Sequence, residues 1–259
     1  AAAGYGSRVG FALAPHAIYT VGEDLLGWVR DEAERHHLPI HMHLSETQSE
    51  VDGCLARTGL RPVHYLDRLG LLGPRFLGAH AVHLADDEIA VLARHGAHVL
   101  HNPVSNLKLA SGGPMRYAAL RAAGVNVLVG TDGCGSNNNL DLLEELKFAA
   151  LLAKHATGDP TVMPASEALE LVTTNAARAF DLDIGRVAVG ALADLILVDL
   201  DHPLMFPGHN LAADLVYSAL GRAVKTTICD GEVLMEAGEV ADEAEIRAEV
   251  RSRLVRLLA

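Results

Sequence analysis

The chain has 259 residues, with 33 acidic side chains against 21 Lys and Arg, a formal charge of −12, and half of its residues apolar. That apolar content excludes a disordered chain, and the acidic balance argues against a general nucleic-acid binder, because phosphate is repelled. No run approaches the roughly 18 apolar residues of a membrane span; the strongest, 192–200, is interrupted by Asp194 and Asp199.

Short apolar runs alternate with longer amphipathic ones, the pattern of βα units around a parallel sheet. Strands are predicted over 9–14, 40–44, 76–79, 98–100 and 125–130. The first helix is predicted over about 21–37, where Thr20 and Glu23 are spaced as a capping box. Others begin near Glu46, Pro62, Asp86 and Pro114, followed by 140–155 and 164–180, the last opened by a proline suited to a first turn. The register then changes. Residues 193–199 form a predicted strand, 225–229 and 232–235 a hairpin around Asp230-Gly231, and 241–259 a helix. This divides the chain into an α/β part (1–183), a small β module (184–240) and a terminal helix (241–259). Five βα units are too few for a closed eight-stranded barrel. An open doubly wound sheet could use five strands, but no glycine-rich phosphate turn follows the first one, which leads into Ala14-Pro15-His16-Ala17.

Each predicted strand has a His or Asp at its carboxyl end or within two residues beyond it: His16, His43, His80, His101 and Asp132. Any one of these alone is best read as a capped or half-buried loop residue. Their repetition at equivalent positions reverses that reading, because carboxyl ends of parallel barrel strands converge on one face. With 14 histidines in the chain, metal or acid–base chemistry is the natural candidate. His43 and Asp132 are the metal-ligand candidates, an imidazole and a carboxylate suited to Zn²⁺, with Fe²⁺ second. His41 shares a strand face with His43 and could chelate with it as a pair; the favoured expectation places it one layer deeper, hydrogen-bonded in the interior. Glu46 sits three residues beyond His43 and can either shuttle protons or simply favour the first turn of the next helix. Asp132-Gly133 could equally be a plain turn, and Cys134 beside it a small filler.

The segments Ala14-Pro15-His16-Ala17, His41-Met42-His43-Leu44-Ser45-Glu46-Thr47, Gly78-Ala79-His80-Ala81-Val82-His83, His101-Asn102-Pro103-Val104-Ser105-Asn106-Leu107-Lys108, Gly130-Thr131-Asp132-Gly133, Asn175-Ala176-Ala177-Arg178-Ala179 and Ala193-Asp194-Leu195 occur in that order. Together they resemble the amidohydrolase superfamily, in particular the methylthioadenosine/S-adenosylhomocysteine deaminases and the related triazine hydrolases. The resemblance implies a (β/α)₈ barrel of which this chain carries strands four to eight, a small β module and a terminal helix. It implies one divalent metal ion held by His43 and Asp132. Glu46 would be the proton shuttle and substrate contact, His80 the hydrogen-bonding partner of the developing tetrahedral centre, Asp132 also a catalytic group, and His16 a substrate contact. His101 and Asn102 would shape the loops. The family's first-strand His-x-His pair has no counterpart here, so the resemblance implies an amino-terminally truncated barrel, inactive in isolation. The absence of a Lys after the fourth strand implies a single metal.

The implied reaction is hydrolytic deamination of an adenosine-type or other amino-heterocycle. A triazine-type chlorohydrolase or guanine deaminase-like activity is the alternative within the family, and a noncatalytic binding remnant the alternative outside it. Three scattered cysteines and no basic-then-apolar leader in 1–10 fit a reducing, cytoplasmic setting. The partner expected is a small heterocyclic amine, with no nucleic acid and no membrane; self-association is left open.

Overall fold

The computed structural model describes residues 8–258. Four strands, β1 (Ile40–Leu44), β2 (Phe76–His80), β3 (His98–His101) and β4 (Asn126–Val129), form one parallel sheet in that order. The helices between them are α1 (Glu23–His36), which precedes β1, then α2 (Gln48–Thr58), α3 (Pro62–Arg68), α4 (Asp86–His95), α5 (Pro103–Leu109) and α6 (Tyr117–Ala122). After β4 come α7 (Cys134–Asn137), α8 (Leu142–Thr157), α9 (Ala165–Glu170) and α10 (Thr174–Phe180).

Strand alternation gives the sheet two different faces. One carries Ile40, Met42, Leu44, Phe76, Val99, Val127 and Val129, which join Leu26, Leu66, Leu92, Leu120 and Leu146 of the helices in the main core. The opposite face carries His41 and His43 on β1, and Leu77, Leu100 and Leu128 further along, where Ala176 and Ala179 of α10 cover them. On the main-core face Gly78 leaves room for Leu44: a Cβ there would lie 2.7 Å from Leu44 Cδ2.

The strand predicted over 9–14 is reduced to one parallel bridge, Leu13 to Ile40. Leu13 N donates to Pro39 O and His41 N to Leu13 O, both at 2.9 Å. Val9 and Phe11 stay more than 40% exposed, at 44% and 42%, so the apolar pattern that suggested a strand is not buried on either side. The capping box of Thr20 and Glu23 does not form. Helix α1 starts at Glu23 behind Gly22 with no side-chain cap, and Thr20 Oγ1 instead meets His16 Nδ1 at 2.8 Å. The helix predicted over 164–180 is broken into α9 and α10 at the β-branched run Val172-Thr173-Thr174, which disfavours helix.

The carboxy-terminal β module is antiparallel: β5 (Leu195–Val198), β6 (Val224–Cys229), β7 (Glu232–Glu236) and β8 (Glu239–Val240). The hairpin between β6 and β7 turns at Asp230 and Gly231, with φ of 50° and 79°, the left-handed pair of a two-residue hairpin turn. Met205, Ala219 and Ala223 seat the module against Leu143 of α8. Its sheet is otherwise poorly covered: Ile196 and Leu197, adjacent on β5, are 51% and 54% exposed. A last helix, Glu243–Leu258, follows. Among the described residues no helix is long and apolar enough to cross a membrane.

Candidate functional site

The carboxyl ends of the parallel strands open into a cleft of about 510 Å³, lined among others by His16, His41, His43, His80, Asn102 and Asp132. His43 is reached by plain alternation along β1. Its neighbours across the cleft depend on backbone that departs from strand geometry: His80 and Asp132 have φ of 73° and 58°, a left-handed conformation uncommon for non-glycine residues. Such strain is found at functional sites held by their surroundings.

His43, His80 and Asp132 each offer one ligand atom, all within 4.8 Å of one another. The rings of His43 and His80 stack at 5.3 Å with 12° between planes, and His16 lies 4.7 Å from His43, centroid to centroid. His43 Nδ1 is 2.7 Å from the His16 carbonyl oxygen. A carbonyl only accepts, so Nδ1 carries the hydrogen and Nε2 is left with its lone pair, the arrangement typical of metal-ligating imidazole. Asp132 accepts from the Ser105 and Ser136 hydroxyls at 2.6 Å each and from Gly133 N at 2.8 Å. Burial alone would raise its pKa, but these hydrogen bonds hold the carboxyl below its usual range. The free Nε2 lone pair of His43 and the ionised Asp132 carboxylate are donors that suit zinc, with His80 beside them.

Glu46 stands beside this group, its Oε2 3.8 Å from His80 Nε2, and Ser111 Oγ donates to its Oε1 at 3.1 Å. It lies in a turn before α2 rather than in the helix's first turn. That turn is fixed by buried Glu50, whose carboxylate accepts from Ser45 N and Glu46 N at 2.9 and 2.8 Å. Ser111 is placed in turn by His83, whose Nε2 lies 2.8 Å from Ser111 O. Gly112 has φ of 143°, and a Cβ there would come within 2.4 Å of His83 Nε2.

Two expectations are corrected. His41 lies in the cleft and is exposed rather than deep and interior, on the edge strand of the parallel sheet. His101 does not line the cleft; it is the last residue of β3, 3% exposed, on the side of the strand opposite Leu100, and burial pushes its pKa down to about 3. It stays neutral and shapes the interior. Asn102 does border the cleft, against Gly130.

Sequence reasoning assigned no role to Ser105, Asn106, Ser111, Ser136, Glu50 and Glu145. Thr47-x-x-Glu50 is the capping spacing that could have revealed Glu50: Thr47 accepts from Glu50 N. Glu145 is an acidic residue on the apolar face of α8, fully buried beside Leu146 and Ala149. It accepts from Val104 N at 3.1 Å and from the Asn137 amide, which also donates to Thr131 O at 2.7 Å, and so ties the Asp132 loop to α5 and α8.

Burial pushes the Glu145 carboxyl up to about 7 from 4.5. The unfolded chain releases this proton at the lower value and the folded chain keeps it to the higher one. The carboxyl therefore weakens the fold as pH rises between the two, by an amount of order 1–3 kcal/mol. Glu145→Gln carries no such proton. Its melting temperature relative to the wild type is expected to rise by several degrees between pH 4.5 and pH 7; parallel melting curves at all pH values would contradict this.

Residues 3–234 match the amidohydrolase family. The chain is 48% identical over 252 residues to a 5′-deoxyadenosine deaminase of Methanoregula boonei, covering 97% of this chain and 57% of that protein. It is 48% identical over 252 residues to a 5-methylthioadenosine/S-adenosylhomocysteine deaminase of Moorella thermoacetica, covering 95% and 58%. Among solved structures, an adenosine deaminase from Xanthomonas campestris with bound zinc superposes with a TM-score of 0.90 at 40% identity, covering 95% of this chain and 56% of that one. Atrazine chlorohydrolase from Arthrobacter aurescens, complexed with zinc, gives 0.85 at 26% identity, covering 93% and 54%. The chain thus spans little more than half the length of these relatives. By its residues, their order and its fold, the chain belongs to the amidohydrolase family.

Proposed function

We propose that this chain supplies the metal-holding and proton-transferring half of a metal-dependent hydrolase that deaminates an adenosine-type nucleoside. The observation that carries the reading is the convergence of His43, His80 and Asp132 within 4.8 Å, with Glu46 alongside. In this reading the parallel sheet is strands five to eight of a (β/α)₈ barrel, and the segment around Leu13 stands at the fourth. Residues 1–183 are the barrel part, 184–240 the β module and 241–259 the terminal helix. Catalytic zinc generally takes three or more protein ligands, so His43 and Asp132 need further ligands from the length that the relatives have beyond this chain. The exposed face of β5 and the open edge beside Leu13 are where that length would pack.

His43 Nε2 and an Asp132 oxygen would hold the ion. When bound, it lowers the pKa of a water to about 7 in favourable zinc sites. Asp132 takes a proton from the attacking water as the oxygen adds to the carbon bearing the exocyclic amine. Glu46 protonates the adjacent ring nitrogen, which relieves the charge at the tetrahedral centre. His80 donates a hydrogen bond to the oxygen at that centre. Ammonia leaves with a proton relayed through Glu46 or Asp132, and His16, at the cleft rim, contacts the substrate.

Chloride displacement from a triazine is the second reading. Its structural relative is 26% identical, against 48% for the nucleoside deaminases, which favours the amine. The test is ammonia release from 5′-deoxyadenosine and methylthioadenosine. Protein extended to the relatives' full length is expected to turn over at least one of them, and the 259-residue chain alone neither. Turnover by the chain alone would show that His43 and Asp132 suffice, and no turnover by the extended protein would remove the deaminase reading.

A further inference from the structure

His43 and His80 are two imidazoles stacked face to face beside the same carboxylate, and what separates them chemically is the partner on each Nδ1. On His43 it is the His16 carbonyl, at 2.7 Å, which accepts only. On His80 it is the Asn106 amide nitrogen, at 3.0 Å, which donates only. The first partner puts the ring hydrogen on Nδ1; the second takes the Nδ1 lone pair and sends the hydrogen to Nε2. The other side of His80 agrees, because Nε2 lies 3.8 Å from Glu46 Oε2, and a carboxylate favours an N–H over a lone pair. We infer that Asn106 is a positioning residue that holds His80 in the Nε2–H tautomer, so that His80 acts as a hydrogen-bond donor in the cleft and stays out of the metal's ligand set.

The fold is built to keep Asn106 in this place. It lies on α5 and is 7% exposed. Its N donates to Asn102 O at 3.0 Å and its O accepts from Ser111 N at 3.1 Å, so its backbone is tied at both ends. Its Oδ1 is buried without a hydrogen-bond partner among the described residues. An orphaned acceptor in a buried amide is costly, and this one is tolerated in the orientation that directs the amide hydrogens at His80. The same site thus sorts two equivalent side chains, one into a lone-pair ligand and one into an N–H donor, through a carbonyl and an amide that are not themselves among the converging groups. The tautomer is inferred from the partners of the two ring nitrogens; only its use against a tetrahedral centre rests on the deaminase reading.

The tautomers can be read in the metal-free 259-residue chain by ¹⁵N–¹H correlation of the imidazole rings. At pH 8.5 imidazole is neutral, and the His80 and His43 signals are assigned by their loss in His80→Gln and His43→Gln. The expected result is hydrogen on Nε2 of His80 and on Nδ1 of His43. Asn106→Asp places an acceptor on His80 Nδ1 and is expected to move the hydrogen there. Asn106→Leu, of similar volume, is expected to leave a mixture. Zinc titration gives an independent readout: His80→Ala is expected to change zinc affinity by less than about threefold in the wild-type background and to lower it about tenfold or more in the Asn106→Asp background. Hydrogen on His80 Nδ1 in the wild type, or a tenfold loss of zinc affinity on His80→Ala there, would overturn the assignment. The wild-type spectrum needs no variant to fold the same way beyond those used for assignment. The expected tautomers in a protein that deaminates nothing would reject the functional reading and leave this one standing.

Discussion

Glu46→Gln, in protein of the relatives' full length, is expected to lower kcat by about two to four orders of magnitude, the usual range for loss of a general acid–base group, with zinc content unchanged. Gln has nearly the shape of Glu and can still accept the hydrogen bond from Ser111 Oγ through its oxygen. It cannot give up and regain a proton. Glu46 is not among the three groups whose ligand atoms converge within 4.8 Å, so the ion should be held as before. Steady-state kinetics on a nucleoside, paired with metal analysis of the same preparation, checks both halves of the statement. Unchanged kcat would take Glu46 out of the reaction, and lost zinc would make it a ligand.

The second large effect is on the ion itself. Asp132→Asn removes the single carboxylate of the donor set, and the affinity for zinc is expected to fall by more than about 100-fold, since loss of groups that merely orient ligands already costs ~10–100-fold. The Ser105 and Ser136 hydroxyls and Gly133 N, which now point hydrogens at the carboxylate, would face a neutral amide and be less well satisfied. Competition against a chromophoric chelator measures the affinity, and thermal unfolding without metal shows whether the loop has survived. An affinity within about threefold of the wild type would mean that Asp132 is not a ligand.

Much of this arrangement was legible in the sequence, and the reasons are local. Strands β1 to β4 are short apolar runs bounded by polar turns, and the Asp230-Gly231 hairpin is written in two adjacent residues whose preferences admit few other turns. Residues His43, His80 and Asp132 were visible because each lies at or just beyond the carboxyl end of a strand in its βα unit. The segment 9–14 misled because apolar alternation reports what a residue prefers and carries no information on whether a neighbour is there to bury it. His101 misled because strand-end position says nothing of which face is presented: its side of β3 is the core side. Asn106, Ser111 and Glu145 escaped because their roles arise from contacts 26, 65 and 41 residues away in the chain, and no spacing rule reaches across such intervals.

The two faces of the parallel sheet have a consequence for how such proteins diverge. Ile40, Met42, Leu44, Val99 and Val127 are packed on one side, while His41 and His43 project from the other. A replacement among the cleft residues leaves the opposite layer intact, so selection can try new leaving groups and new substrates without first rebuilding the scaffold. The shape shared at 40% identity with a deaminase and at 26% with a chlorohydrolase is what such a division of labour within single strands would produce over long descent.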